Sequence, residues 1–327
     1  MREKILNLLL EAKDFISGEE MSNHLGVSRA AIWKHIKKLK EEGFVIKSVS
    51  NKGYRLYPIP DHFEVNELMD LLSPYDVASS VFVYDTLDST NKEAKRRAAE
   101  NSSLKGLFIA KEQTQGIGRR GRSWISEKDG GIYMSLLLRL SIKPVHASML
   151  TLLAGLAVCR VIRRMIKAEA YIKWPNDIVL QGKKIAGILT EMSSEIDYVH
   201  YVVIGIGINV NHAKFDKELD ERATSLRIEE EQEYDKKELL VKTIEEFQGL
   251  YDVFLKEQSL NFLVEEYNAF CVNVGKKVKV EENNKTVIGK ALGIDGSGAL
   301  VIQTKEETTK IIHSGEVSVR GLYGYVD

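Results

Sequence analysis

The chain has 327 residues, 44% hydrophobic and 28% charged, with a net charge of −1. That is enough apolar residue for a large core and two or three domains, which excludes wholesale disorder, and near-neutrality excludes a polybasic coat over the whole chain. No run reaches the roughly 18 apolar residues of a membrane span, and the two cysteines, Cys159 and Cys271, lie far apart with no CxxC, so the expectation is a cytoplasmic protein with no disulfide scaffold, zinc ribbon or membrane partner.

Charge is unevenly spread. Residues 1–57 hold eleven Lys/Arg against seven Asp/Glu, a balance of +4, which leaves −5 for the remainder. This predicts a small basic module on a larger acidic body. Ile5, Leu8, Leu9 and Ala12 recur at helical spacing, and the start reads as an amphipathic helix rather than a signal peptide. Ser17, with Glu20 three residues on, has capping-box spacing and predicts a helix over about 18–25 that ends at Gly26. Ser28 caps a third helix running to about Glu42 and closed by Gly43. Helix, glycine turn, helix is the helix-turn-helix pattern.

In the third helix Ile32, Ile36 and Leu39 fall at i, i+4, i+7 and face inward. Arg29, Trp33, Lys37 and Lys40 form another stripe, with Lys34 and Lys38 beside it. An exposed cationic helix after such a turn suits the major groove of DNA. An alternating run around Ser50, Asn51, Lys52 and Gly53 predicts a hairpin, which would make a wing. The candidate DNA contacts are Ser28, Arg29, Ala30, Trp33, Lys34, Lys37 and Lys52. A solvated, Lys-rich helix on a protein-interaction domain is the competing interpretation, and Trp33 fits a partly buried packing role equally well. Pro58 and Pro60 mark a linker.

The central body mixes strands and helices. Apolar runs at 81–84, 107–111, 132–138, 185–191 and 199–208 predict strands, and 146–168 and 236–256 predict helices. Several strands follow each other without a long helix between, which favours a mixed or antiparallel sheet over a doubly wound one. From about 272 short β-rich runs alternate with turns, predicting a small barrel of five or six strands. The predicted domains are 1–60, 61–271 and 272–327.

Four segments carry candidate chemistry. Asp88-Ser89-Thr90-Asn91 precedes a helical run at 92–100 and reads first as a helix N-cap, although its side chains could also bind a polar ligand head. In QTQGIGRRGRSW, from Gln113 to Trp124, three glycines and three arginines share one loop between two strands. Glycines permit close backbone approach and arginines fork onto phosphate or carboxylate, so the loop suits a nucleotide phosphate; a flexible loop with solvated arginines is the alternative. It is not a Walker A loop, since GxxxxGK[ST] is absent. KWPNDIVLQGKKIAGIL, from Lys173, reads as a hairpin in which Lys184 leads into the returning strand. A lysine there could offset the charge of a carboxylate and a phosphate brought together, or simply be solvated in a turn. GIGINVN, from Gly205, lacks the third glycine and the following helix of a dinucleotide loop. No HExxH, GxSxG or recognisably spaced Cys/His pair gives a sign of metal hydrolysis or covalent catalysis.

Taken together, SRAAIWKHIKKLKEEG, STN, QTQGIGRRGRSW, KWPNDIVLQGKKIAGIL, GIGINVN and the β-rich C-terminus resemble the bifunctional biotin–protein ligase and biotin operon repressor family over essentially the whole chain. The resemblance implies an α+β protein: an N-terminal winged helix-turn-helix, a class II synthetase-like ligase domain and a C-terminal SH3-like barrel. It implies that biotin and MgATP give biotinoyl-5′-AMP and pyrophosphate, and that biotin then passes to one lysine of the biotin carboxyl carrier protein of acetyl-CoA carboxylase. Biotinoyl-AMP would act as corepressor, favouring a homodimer that sets two winged helices on the operator DNA of biotin genes.

The same resemblance assigns roles. Ser89, Thr90, Asn91 and Gln113 bind biotin; Gly116, Ile117 and Gly118 supply backbone around the ligand; Arg119 faces the acyl-phosphate; Lys184 contacts the biotin carboxylate or its adenylate; Trp124 helps wall the adenine. Arg119 and Lys184 are the catalytic pair. Weaker candidates are Arg122, Asn176, Asp177, Asn209 and, for ATP, Arg320. The family loop often has arginine where this chain has Ile117, which bears on how the intermediate is retained. A biotin-sensing repressor without ligase activity is the main alternative, and the presence of Lys184 and Arg119 argues against it. A related lipoate ligase and a DNA-binding adaptor with no small ligand are the others.

Overall fold

A computed structural model describes residues 1–12, 14–41, 44, 46–49, 52–56, 63–166, 169–282, 285–313 and 316–319. The chain divides into two compact units, Met1–His62 and Phe63–Asp327.

In the first unit α1 (Arg2–Glu11), α2 (Gly18–Leu25) and α3 (Arg29–Glu41) are followed by a hairpin of β1 (Ile46–Val49) and β2 (Gly53–Leu56). The start of α2 is set by Ser17, whose hydroxyl accepts from the Glu20 N–H at 3.0 Å. Gly26 ends it in the left-handed conformation at φ 66°, where a side chain would be strained. Ser28 opens α3 by accepting from the Ala31 N–H at 3.2 Å. Ile32, Ile36 and Leu39 are buried against Ile5, Leu9 and Met21. Ile16 and Tyr54 exchange backbone hydrogen bonds at 2.9 Å each way, which adds a third short strand to the wing hairpin. Gly43, Ser50, Asn51, Pro58 and Pro60 lie outside the described residues.

The second unit is built on a seven-stranded sheet of order β3-β4-β5-β9-β8-β7-β6. Its strands are β3 (Val81–Leu87), β4 (Gly106–Gln113), β5 (Gly131–Leu138), β6 (Tyr171–Lys173), β7 (Asp177–Leu180), β8 (Lys183–Ser194) and β9 (Val199–Asn209). Among the paired strands of this sheet only β3 and β4 run parallel, joined by a helical crossover, α5 (Thr90–Glu100); α4 (Val65–Leu72) precedes β3. The sheet is therefore mixed, as the close succession of strands predicted.

One face of the sheet is covered by α6 (Met149–Met165) and α9 (Lys236–Glu257). The short helices α7 (Lys217–Asp220) and α8 (Leu226–Glu230) lie before α9, and α10 (Val264–Phe270) after it. Stretch Pro144–Met165 is long and apolar enough to cross a membrane by length and composition, yet 72% of its apolar window is buried inside the protein. Each buried Leu, Ile or Val there contributes about 1.5–3 kcal/mol, so it is a core helix. The predicted helix 146–168 is found as α6, which begins at Met149 and not at 146 because Pro144–His146 forms a separate 3-10 turn. Arg160 on α6 pairs with Glu246 on α9 and Glu266 on α10, tying three helices together.

The last strands, β10 (Lys277–Glu282), β11 (Lys285–Ile294), β12 (Leu300–Thr304), β13 (Thr309–Ile312) and β14 (Glu316–Val319), form an antiparallel sheet of order β13-β12-β11-β10-β14. The described pairs show an open antiparallel sheet and no closure between β13 and β14. Trp174 joins the two sheets. Its backbone N–H donates to Asn273 Oδ1 at 2.9 Å and its indole N–H to the Gly298 carbonyl at 3.0 Å.

Candidate functional site

A cleft opens over the seven-stranded sheet. Three segments singled out in the sequence meet there. Ser89, Thr90 and Asn91 come from the start of α5; Gln113, Ile117, Gly118, Arg119 and Trp124 come from β4 and the Gly/Arg loop; Asn176 and Lys184 come from the β6–β7–β8 hairpins.

Ser89 stands at the N-cap of α5, but its hydroxyl makes no cap hydrogen bond. Asp88 shapes the turn instead. Its carboxylate accepts the Ser89 N–H at 2.8 Å and a two-pronged grip from Arg96 at 2.8 and 3.1 Å. The Arg96 fork holds the Asp88 carboxyl down at about 2, against a smaller opposing effect of burial. Ser89, Thr90 and Asn91 are each less than 7% exposed. Gln113 Oε1 accepts from the Thr90 N–H at 2.8 Å, and Gln113 Nε2 donates to Ser126 Oγ at 2.8 Å, so the amide orientation is fixed.

The Gly/Arg loop folds back on itself. Ile117 and Ser123 form a bridge, the Gly118 N–H donates to the Arg122 carbonyl at 2.7 Å, and the Trp124 N–H donates to the Gly116 carbonyl at 2.9 Å. These bonds order the loop through its own backbone. Arg119 reaches across to Asn176 Oδ1 at 2.9 Å. Asn176 is held in turn by Ile188, whose N–H donates to its carbonyl at 2.9 Å. The Trp174–Pro175 peptide just before it is cis.

Lys184 projects from β8 to the Asp177 carboxylate at 2.5 Å, with its ammonium 5.2 Å from the centre of the Trp124 ring. The cation is thus paired below and faces a π-surface, 28% exposed on the cleft side. The Trp124 indole N–H has no partner among the described residues.

Gly205 and Gly207 complete the wall, on β9. In sequence this GIGIN run resembles only an incomplete dinucleotide loop. Alternation along a strand puts both glycines on one face, and that face is the cleft. A Cβ at Gly207 would lie 2.5 Å from Trp124 Cε2, and one at Gly205 2.3 Å from Asn91 Oδ1. Ser135 on β5 and Glu191 on β8 were also missed; a lone serine in an apolar strand and a lone glutamate near a strand end carry no pattern of their own.

The remaining candidates fall elsewhere. Gly116 lies behind the loop, against the Trp124 carbonyl. Arg122 is exposed on the loop. Asn209 is 4% exposed and donates to the Thr224 carbonyl at 3.0 Å, a tie for the end of β9. Arg320 lies outside the described residues. Among the described residues no group of three His, Cys, Asp or Glu is gathered to hold a metal ion. In the first unit Arg29, Ala30, Lys34, Lys37 and Lys52 are exposed. Trp33 is 58% exposed with Lys37 Nζ 5.9 Å from its ring, so it is a surface residue and not a core one.

Residues 83–209 match the biotin/lipoate A/B protein ligase family, residues 1–55 an HTH domain and residues 274–320 the biotin protein ligase C-terminal domain. The chain is 38% identical to the bifunctional ligase/repressor BirA of Bacillus subtilis over 95% of this chain and 96% of that one. It is 32% identical to the protein of the same name from Escherichia coli, over 95% of each. The biotin protein ligase of Aquifex aeolicus, solved in complex with biotin and ATP, superposes with a TM-score of 0.64 at 31% identity, covering 74% of this chain and 99% of that one. With its likeness to these proteins running over 95% of its length, the chain belongs to the family of bifunctional biotin–protein ligases and repressors.

Proposed function

We propose that the cleft joins biotin to ATP and that the protein then biotinylates one lysine of a biotin carboxyl carrier protein. The observation that carries this is that Lys184 and Arg119, held by the neighbouring Asp177 and Asn176, line one cleft with the polar side chains of Ser89, Thr90 and Gln113. In the first step the biotin carboxylate attacks the α-phosphorus. A carboxyl O–P bond forms, the Pα–O–Pβ bond breaks, and pyrophosphate leaves. No protein nucleophile is required. The obstacle is repulsion: two unit negative charges 4 Å apart repel by about 4 kcal/mol at an effective dielectric of about 20. One fixed cation beside each anion offsets most of that, which is the work of Lys184 and Arg119. In the second step the acceptor amine attacks the acyl carbon and AMP leaves; Asp177 and Asn176, at the foot of Lys184 and Arg119, flank that approach. Trp124 walls the adenine.

Magnesium fits as a companion of the triphosphate. The described residues hold no three-ligand cage, and magnesium keeps its waters and uses phosphate oxygens with at most one or two carboxylates. When bound it neutralises phosphate charge.

The first unit binds operator DNA through α3 and the wing, with two units on two half-sites of a ligand-bound homodimer. Residues 1–60, 61–271 and 272–327 act as DNA-binding, catalytic and C-terminal SH3-like domains of a cytoplasmic protein. Incubation with biotin, MgATP and the carrier protein should attach one biotin per carrier; attachment that persists without ATP, or none with it, overturns the proposal.

A further inference from the structure

We infer that Glu191, which lies behind the head-group end of the cleft, is a positioning residue that sets the hydrogen-bond polarity offered to the ligand by Thr90. The inference rests on the reading of the cleft as a biotin site.

The chain of contacts is continuous. Lys95 Nζ lies 2.7 Å from Glu191 Oε1, and Asn91 Nδ2 donates to Glu191 Oε2 at 2.8 Å and to the Leu189 carbonyl at 3.3 Å. Carboxylate and carbonyl only accept, so the Asn91 amide has one allowed orientation, with Oδ1 facing Ser135. Ser135 is fully buried, and its Oγ lies 2.6 Å from Asn91 Oδ1 and 2.7 Å from Thr90 Oγ1. Asn91 Oδ1 cannot donate, so the Ser135 proton must go to it. Ser135 Oγ is then an acceptor for the Thr90 hydroxyl; Gln113 Oε1, 3.2 Å from Thr90 Oγ1, is the other acceptor within reach. Either way the Thr90 proton is consumed inside the protein. Its oxygen presents only lone pairs to the cleft, which suits a ligand N–H such as that of a cyclic urea and opposes an oxygen in the same place.

Replacing Glu191 by glutamine loosens this order. Lys95 claims the amide oxygen, which turns the Gln NH₂ toward Asn91. The Leu189 carbonyl at 3.3 Å is then the one acceptor left to hold the Asn91 amide, whose orientation is no longer fixed. In the turned orientation Ser135 donates to Thr90, and the Thr90 proton is shared between Gln113 Oε1 at 3.2 Å and the cleft. The charge change is remote from the ligand, yet the pocket distinguishes donor from acceptor less sharply.

The test is biotin-dependent exchange of pyrophosphate into ATP, run with biotin and with the two cyclic-carbamate analogues in which one or the other ring N–H is oxygen. Wild type should disfavour the more strongly rejected carbamate by about 100-fold in kcat/KM, the scale of an unsatisfied buried group. In Glu191→Gln the ratio should fall below about tenfold, with KM for biotin raised and kcat little changed. Ser135→Ala cuts the same relay from the other side and should narrow the ratio too, which keeps the test open if the first variant folds poorly. Lys95→Met leaves the Glu191–Asn91 bond in place and should keep the wild-type ratio. An unchanged ratio in both relay variants, or a fall in kcat alone, overturns the role of Glu191. No exchange with biotin in wild type overturns the reading of the cleft itself.

Discussion

Lys184 is ion-paired to Asp177 at 2.5 Å across the β7–β8 hairpin, so the cation reaches the cleft already oriented by its neighbour. An arriving carboxylate shares that cation instead of having to capture it. Asp177→Asn should therefore lower kcat of the exchange reaction about tenfold while leaving KM for biotin near wild type, because the charge remains but its aim is lost. A change confined to KM would show that Asp177 serves ligand binding instead.

Gly207→Ala should act on the nucleotide side. Its Cβ would fall 2.5 Å from Trp124 Cε2, so the indole must move. Overpacking of this kind costs about 1–3 kcal/mol, and KM for ATP should rise about tenfold or more, with biotin affinity, measured by calorimetry, within about twofold of wild type. Equal losses for both ligands would remove Trp124 as the adenine wall.

The architecture was legible wherever a residue pattern met a single physical demand. Ile32, Ile36 and Leu39 pointed into a core, Ser17 and Gly26 bounded a helix, and the crowding of strands from 81 to 208 spoke against a doubly wound sheet. At the site, the Gly/Arg loop and Lys184 were legible because charge and glycine concentrate in short segments. Gly205 and Gly207 were visible but were weighed against the wrong template, since a glycine pair reads alike in a loop and in a strand. Ser135 and Glu191 were silent: their significance lies in contacts with Thr90 and Asn91, 45 and 100 residues away along the chain. The later start of α6, behind the 3-10 turn at Pro144–His146, was hidden because the apolar run gives no sign of where the helix begins.

His212 should make the fold acid-sensitive. Its ring is 3% exposed, and burial pushes its pKa down from 6.5 to about 4. Below pH 6.5 the unfolded chain takes up a proton that the folded ring refuses, so stability falls from pH 6.5 toward 4 and is unaffected above that window. The loss is on the order of 2–3 kcal/mol. Urea midpoints at pH 7 and 4.5 should differ more in wild type than in His212→Phe; an equal drop would assign the acid sensitivity to other groups.

Lys34, exposed on α3, should contribute to DNA binding through charge alone. Lys34→Ala should make the slope of log affinity against log salt shallower by about one per half-site contact, with operator preference retained. An unchanged slope would place Lys34 off the backbone.

The most direct measurement is biotin-dependent exchange of labelled pyrophosphate into ATP, in wild type and in Lys184→Ala. Exchange in wild type, reduced about 100- to 1,000-fold in the variant, is the predicted result, matching the loss of one preorganised charge at the developing acyl-phosphate. Saturable biotin binding with no exchange in wild type would contradict the account and leave a repressor that senses biotin on a ligase scaffold.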